Sequence, residues 1–194
     1  ETNAEVGVRR TLDEQVDRMD RIIAYHLRRA EAAGRATLSA PIAVLPVVER
    51  IVRALGKVYA DKNVQVDVAV APALQFRGDE GDLTELMGNV LDNAFKWCRT
   101  RVRVSAFVDG LSLSLNVEDD GPGISRRDSE RVLQRGARAD QSVPGQGIGL
   151  SITQDIVEAH DGRIAIGRSE LGGAAVTLSL PEPGTVRQSA APRA

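Results

Sequence analysis

The chain has 194 residues, a formal net charge of −2 and 42% hydrophobic content, enough for one domain with a packed core plus an appendage. Acids and bases are interspersed, which argues against a dedicated nucleic-acid binder, whose basic residues gather on one face. The single cysteine, Cys98, excludes an internal disulfide or a cysteine metal cluster and fits a reducing compartment.

Aromatic residues are only 3% of the chain, so a core must rest on Val, Leu, Ile and Ala. No apolar run reaches the roughly 18 residues that a membrane span needs, and no signal peptide is visible. In chain order, residues 5–33 are charged and helical, and Leu12, Val16, Met19, Ile23, His26 and Ala30 form a heptad seam suited to a helical hairpin or dimer bundle. Gly34 ends that helix. Leu38 to Ala43 reads as a short strand. A helix follows, with Pro46 in its first turn and Val47, Val48, Ile51, Val52, Leu55 and Tyr59 at helical spacing. "VQVDVAV" (64–70) alternates as a half-buried strand. A short strand near Leu74–Arg77 leads to Asp79, an expected N-cap with Asp82 completing a variant capping box, and to a helix over about 80–98.

"RVRVSAFVDGLSLSLNVEDDG" reads as a hairpin about Asp109-Gly110. Residues 121–147 are rich in Gly, Arg and Ser and weakly periodic. A helix over about 148–160 and a second strand pair, "GRIAIGRSELGGAAVTLSLP", follow. The tail from 182 to 194 lacks an apolar pattern and is expected to be disordered. Helices and strands are mixed without regular alternation, which predicts helices layered on one face of a mixed sheet.

Three motifs carry chemistry. On the helix "DLTELMGNVLDNAFKW", Glu85, Asn89, Asn93 and Lys96 form one polar stripe opposite an apolar face. Asparagine is a poor choice for a merely solvated helix face, and its amide oxygen is a neutral hard donor suited to a magnesium ion that carries phosphates and waters. In "NVEDDGPGI", a strand-end carboxylate can accept from an exocyclic amine, and Gly121 and Gly123 let a flat ring approach the backbone. In "PGQGIGLSI", glycines precede a helix whose free amides attract phosphate. The spacing is neither the dinucleotide fingerprint nor a Walker loop. Between the last two, Arg135 and Arg138 lie in a loop that could close over phosphates.

Each motif is weak alone. Their order, closed by "LGGAAVTLSLP", resembles the catalytic domains of sensor histidine kinases of two-component systems, within the superfamily of gyrase, Hsp90 and MutL, over roughly residues 38 to 181. The resemblance implies a two-layer α/β (α+β) sandwich of the Bergerat type, a mixed five-stranded sheet backed by helices, preceded by one long dimerisation-type helix. It divides the chain into residues 1–34, the second helix of a dimerisation and phosphotransfer hairpin, residues 35–181, the ATP-binding domain, and the tail.

ATP and Mg2+ are the implied substrate and ion. Asn89 resembles the magnesium-binding asparagine, Asn93 the second of its box, Lys96 the phosphate-contacting lysine and Trp97 an aromatic bordering the nucleotide. Asp119 resembles the adenine-recognising aspartate, with Gly121 and Gly123 as its companions. Gly145, Gln146, Gly147, Ile148, Gly149 and Leu150 match the second glycine box. Leu133 stands where the lid's phenylalanine is expected. Arg135 and Arg138 would neutralise phosphate charge.

"GKVYADKNV", "MGNVLDNAFKWC", "VEDDGPGI" and "RGARADQSVPGQGIGL" resemble more closely the PhoQ-type kinases, membrane sensors that respond to divalent cations and envelope stress. That implies the cytoplasmic portion of an inner-membrane protein. Its partners would be its own acceptor-histidine helix, a PhoP-like response regulator and a second copy in a homodimer, with no nucleic acid. Two other readings stay open. Glu85, four residues before Asn89, stands where hydrolysing members place a water-activating glutamate, so the output could be a conformational ATPase. The chain could also be a nucleotide-binding dimerisation module without turnover.

His26, in "IIAYHLRRAE", lacks the acid or serine and the later proline that follow the family's acceptor histidine. It lies in the heptad seam and reads as a packing residue, with the acceptor on a segment outside this chain. His160, just before a glycine at Gly162, reads as a helix-cap residue.

Overall fold

A computed structural model describes residues 40–125 and 149–181, all within one compact unit that begins at Ala40. The expected helix over 5–33 with His26, Gly34, the loop residues 126–148 and the tail lie outside the described residues. Among the described residues, no helix is long and apolar enough to cross a membrane.

Strand β1 (Ile42–Ala43) leads into helix α1 (Val44–Val58); of the strand expected over Leu38 to Ala43, residues 38 and 39 lie outside the described residues and the described part is strand at Ile42 and Ala43. Pro46 sits in the first turn of α1, and Val44, Val47, Val48 and Ile51 form its buried face. A short 3-10 turn (Ala60–Lys62) precedes β2 (Gln65–Val70). Strand β3 (Gln75–Phe76) pairs antiparallel with β1, a two-stranded ribbon separate from the main sheet.

Helix α2 (Glu80–Trp97) is the central element. Leu83, Leu86, Met87, Val90, Leu91, Ala94 and Phe95 are buried along one face. Asp79 caps it, its carboxylate accepting from Gly81 N–H at 2.7 Å. The expected reciprocal bond from Asp82 is replaced. Asp82 Oδ2 lies 3.0 Å from His160 Nε2, so the first turn of α2 is tied to the end of another helix.

Strands β4 (Arg101–Asp109) and β5 (Ser112–Asp119) form the expected hairpin. Asp109 pairs with Ser112, so the two-residue loop is Gly110-Leu111, one position later than the sequence suggests. Gly110 has φ +61 and Leu111 is not among the positive-φ residues. That fits a turn needing glycine at its first central position only.

Helix α3 (Gly149–Ala159) ends as expected near His160. Gly162 N–H donates to Val157 O at 2.9 Å and Asp161 N–H to Glu158 O at 3.1 Å. This is a Schellman end with left-handed Asp161 (φ +55) in glycine's usual place. The His160 ring packs 5.1 Å from that of Phe76, so it does more than cap.

Strands β6 (Arg163–Arg168) and β7 (Ala174–Pro181) complete a five-stranded mixed sheet of order β2-β4-β5-β7-β6. Only β2 and β4 pair in parallel; the other neighbours are antiparallel. Alternation in the central strands sends Val102, Val104, Leu113, Leu115, Val117, Val176, Leu178 and Leu180 to the helix side. Arg103, Ser105, Asn116, Thr177 and Ser179 fall on the other face, the hydrophobic-in, polar-out division of a one-sided sheet.

The corner from α2 into β4 is held by Asp120. Its carboxylate accepts from the N–H groups of Arg99, Thr100 and Arg101 at 2.8–3.0 Å and from the Thr100 hydroxyl at 3.1 Å. Burial raises its carboxyl, but those donors outweigh burial and bring it down to about 2. A carboxylate whose pKa is depressed on folding stabilises the fold above its unfolded value, and the benefit is lost as pH falls through the folded value. Asp120→Asn is therefore expected to lower the unfolding free energy by about 2 kcal/mol at pH 7. Urea titrations of parent and variant should show that gap shrink to about half by pH 3.

Candidate functional site

The site grows from the end of β5. Asp119 is buried (6% exposed), yet one of its oxygens is held open by the backbone around it. Oδ1 accepts from Gly121 N–H at 2.8 Å and from Ala174 N–H at 3.2 Å. Oδ2 is left as the acceptor available to a ligand. The cradle requires two residues without side chains. A Cβ on Gly121 would collide with the Trp97 carbonyl, and a Cβ on Gly173 would collide with Asp119 Oδ1 itself. Gly123, with φ +78, lies against the Gly173 carbonyl.

Burial pushes the Asp119 carboxyl above the ordinary carboxylate range. The N–H groups of Gly121 and Ala174 and the charge of Lys62 oppose this in part, while Asp120 adds to it. An acid with a raised pKa costs folding stability at neutral pH. A buried acceptor kept at such cost is a mark of a functional group.

Helix α2 brings in the second part. Glu85, Asn89, Asn93 and Lys96 are partly buried along it, on the stripe opposite its core face, and Trp97, also partly buried, closes its last turn. The Asn89 amide nitrogen is buried without a hydrogen-bond partner among the described residues. Leaving such a donor unpaired costs about 1–3 kcal/mol, so a ligand group is the natural partner. The amide oxygen of the same side chain faces the start of α3, where a Cβ on Gly149 would stand 3.3 Å from it. Asn89 and Gly149, the asparagine box and the second glycine box, therefore meet, with Leu150 buried just behind. Lys96 Nζ lies 5.4 Å from the centroid of the Trp97 ring, and the Trp97 carbonyl is the atom that Gly121 packs against.

Arg135, Arg138, Leu133, Gly145, Gln146, Gly147 and Ile148 lie outside the described residues. The residues that sequence reasoning missed are Gly173 and Ala174. They stand in the quoted "LGGAAVTLSLP" but received no role. The doubled glycine before a strand was the available signal, and the β5–β7 pairing that brings it to Asp119 was not visible.

Residues 78–184, more than half of the chain, match the family described as histidine kinase-, DNA gyrase B- and HSP90-like ATPase. The chain belongs to this family. The described Asp119 cradle and Asn89 stripe lie inside the matched region. The chain is 40% identical over 181 residues to sensor protein PhoQ of Escherichia coli K12, covering 93% of this chain and 36% of that protein. It is 42% identical over 165 residues to two-component sensor PhoQ of Pseudomonas aeruginosa, covering 85% and 37% respectively. The chain thus spans little more than a third of these relatives. A mycobacterial sensor histidine kinase structure, MprB, superposes with a TM-score of 0.66 at 30% identity, covering 73% of this chain and 97% of that one.

Two outcomes follow for the Asp119 cradle. Gly173→Ala is expected to displace the carboxylate and remove adenine-nucleotide binding, as read by calorimetry with thermal unfolding as the check on folding. Only an ionised carboxylate accepts on both oxygens, so nucleotide affinity that depends on Asp119 is expected to be lost as pH falls through its raised pKa. The acid limb of a binding profile should lie above the ordinary aspartate value of about 4.

Proposed function

We propose that this chain is the ATP-binding catalytic part of a PhoQ-like two-component sensor histidine kinase. The observation that carries this reading is the pairing of a buried carboxylate acceptor, Asp119, beside the end of α2, with an unpartnered buried amide, Asn89, midway along the polar stripe of that helix. Asn89 and Trp97 are eight positions apart on α2, about 12 Å at the helical rise, a span on the scale of a nucleoside triphosphate. Adenine would lie at the Asp119 end, its exocyclic amine donating to Oδ2. The phosphates would lie toward Asn89 and the start of α3, where free backbone amides favour anions.

The residues present fit a magnesium ion of the kind held by one protein oxygen and by phosphates. Asn89 would hold it, with Asn93 beside it. When bound, the ion neutralises phosphate charge. Lys96 orients the phosphates, and Arg135 and Arg138 add positive charge from the loop. The bond from the bridging oxygen to the γ-phosphorus breaks, ADP leaves, and a bond forms from phosphorus to a histidine nitrogen. Neutral imidazole is already a nucleophile at pH 7, so the domain's task is positioning and charge neutralisation. The accepting histidine belongs to a helix outside this chain. The phosphoryl then passes to an aspartate of a PhoP-like response regulator.

In this reading residues 1–34 are the second helix of a dimerisation hairpin, residues 35–181 the catalytic domain and residues 182–194 a tail. The whole protein is a homodimeric inner-membrane sensor with this part in the cytoplasm.

Asn89→Ala and Asp119→Ala are each expected to weaken Mg-ATP binding at least tenfold in calorimetry; unchanged affinity in both would overturn the reading. With radiolabelled ATP and a longer chain that carries the acceptor helix, acid-labile, base-stable label on protein is the expected result. Phosphate release that depends on Glu85, without protein label, would favour the conformational ATPase. Binding without either would favour a nucleotide-binding module.

A further inference from the structure

We propose that Lys62 is a positioning residue for the nucleotide site: its ammonium, seated on backbone carbonyls at the end of α2, holds the turn whose Trp97 carbonyl packs on Gly121 beside Asp119 and from which Lys96 extends. This rests on the reading of that cradle as an adenine pocket. Lys62 Nζ donates to Phe95 O at 2.8 Å, to Lys96 O at 2.7 Å and to Cys98 O at 3.1 Å. An ammonium has three N–H donors, and each has its own carbonyl here. The last carbonyls of a helix lack intrahelical partners and carry the negative end of its dipole, so a cation answers both needs at once.

The lysine comes from the 3-10 turn 33 to 36 residues upstream, and Tyr59, at the start of that turn, holds the same helix end. The Tyr59 hydroxyl donates to Asp92 Oδ1 at 2.9 Å, and its ring lies 5.9 Å from that of Phe95. Burial, then the bond to Asp92, pushes the phenol up to about 12, so it stays a donor at any physiological pH. The end of α2 is therefore gripped at Asp92, at Phe95 and at three carbonyls. Within the grip, between the Lys96 and Cys98 carbonyls, the Trp97 carbonyl meets Gly121 beside Asp119. With its donors on backbone, Lys62 acts through α2 and does not bind the ligand.

Its charge also reaches the cradle. Lys62 favours the ionised form of Asp119, whereas burial and neighbouring Asp120 oppose that form. The Cys98 thiol, raised mainly by burial, is a further titratable group beside this corner, and Lys62 pulls it down as well. Removing the charge should disturb the placement of Lys96 and Trp97 and also make Asp119 harder to ionise.

The test is titration of a fluorescent N-methylanthraniloyl-ADP with Mg2+ into the full chain between pH 5 and 8. Parent, Lys62→Gln, Lys62→Arg and the exposed-helix control Lys57→Gln are compared, with circular dichroism and melting as checks. Lys62→Gln is expected to weaken binding about tenfold at pH 7.5 and to move the acid limb to higher pH. Lys62→Arg should keep the limb at the parent's pH and recover part of the affinity, and Lys57→Gln should match the parent. A folded Lys62→Gln with parental affinity and acid limb overturns the proposal, as does equal loss in Gln and Arg variants without a limb shift. If Lys62→Gln does not fold, Lys62→Arg decides: reduced affinity with an unmoved limb supports the proposal, and parental affinity or a moved limb overturns it. A parent that binds no nucleotide overturns the adenine-pocket reading itself, and this proposal with it.

Discussion

A carboxylate buried at a strand end is the constraint around which this domain is arranged. Asp119 needs donors, and the backbone just after β5 and at the start of β7 converges to supply them, with the Trp97 carbonyl at the end of α2 packed against the same turn. Such convergence leaves no room for side chains at Gly121 and Gly173. It also requires the α2–β4 corner to stay in place, which is the task of the neighbouring aspartate. Asp119 and Asp120 are adjacent and both buried, yet their titration moves in opposite directions. Asp120 has a full set of donors and is purely structural. Asp119 has an incomplete set, with donors from the described residues on Oδ1 alone.

Helix α2 serves the core and the site with opposite faces. Its apolar face is fixed by Leu83, Leu86, Met87, Val90, Leu91 and Phe95, none more than 1% exposed. Interior packing of that density transmits little play, so Asn89, Asn93 and Lys96 are presented by a rigid rod. The start of α3 is set against Asn89 at one end, and the His160–Asp82 contact ties its other end to the first turn of α2. Helix α3 is thereby held at both of its ends against α2, at Asn89 and at Asp82.

Much of this was legible in local pattern. The period of α2, the alternation of β4 and β5 and the strand-end Asp-Gly-Pro-Gly are short-range signals, and the elements appear where those signals place them. The misses are long-range. The β1–β3 ribbon joins residues more than 30 positions apart and leaves no periodicity to read. Asp82 had a plausible local role in a capping box, but His160 from a distant helix competed for it and won. The hairpin loop shifted by one residue because Gly110, not Asp109, takes the positive φ. Gly173 and Lys62 act on the site only through β5–β7 pairing and through the fold of the 3-10 turn onto α2, neither of which is written in their own neighbourhoods.

The central claim is that Asn89, Gly121 and Gly173 surround one adenine nucleotide. The most direct measurement follows amide resonances of the labelled chain while Mg-ATP analogue is added. The account predicts saturable shifts, with a single affinity, at the Asn89 side-chain amide and at the backbone amides of Gly121 and Gly173, and their loss in Asp119→Asn. Shifts confined to the opposite face of the sheet, at Ser105, Asn116 and Thr177, or no shift at Asn89, would contradict it.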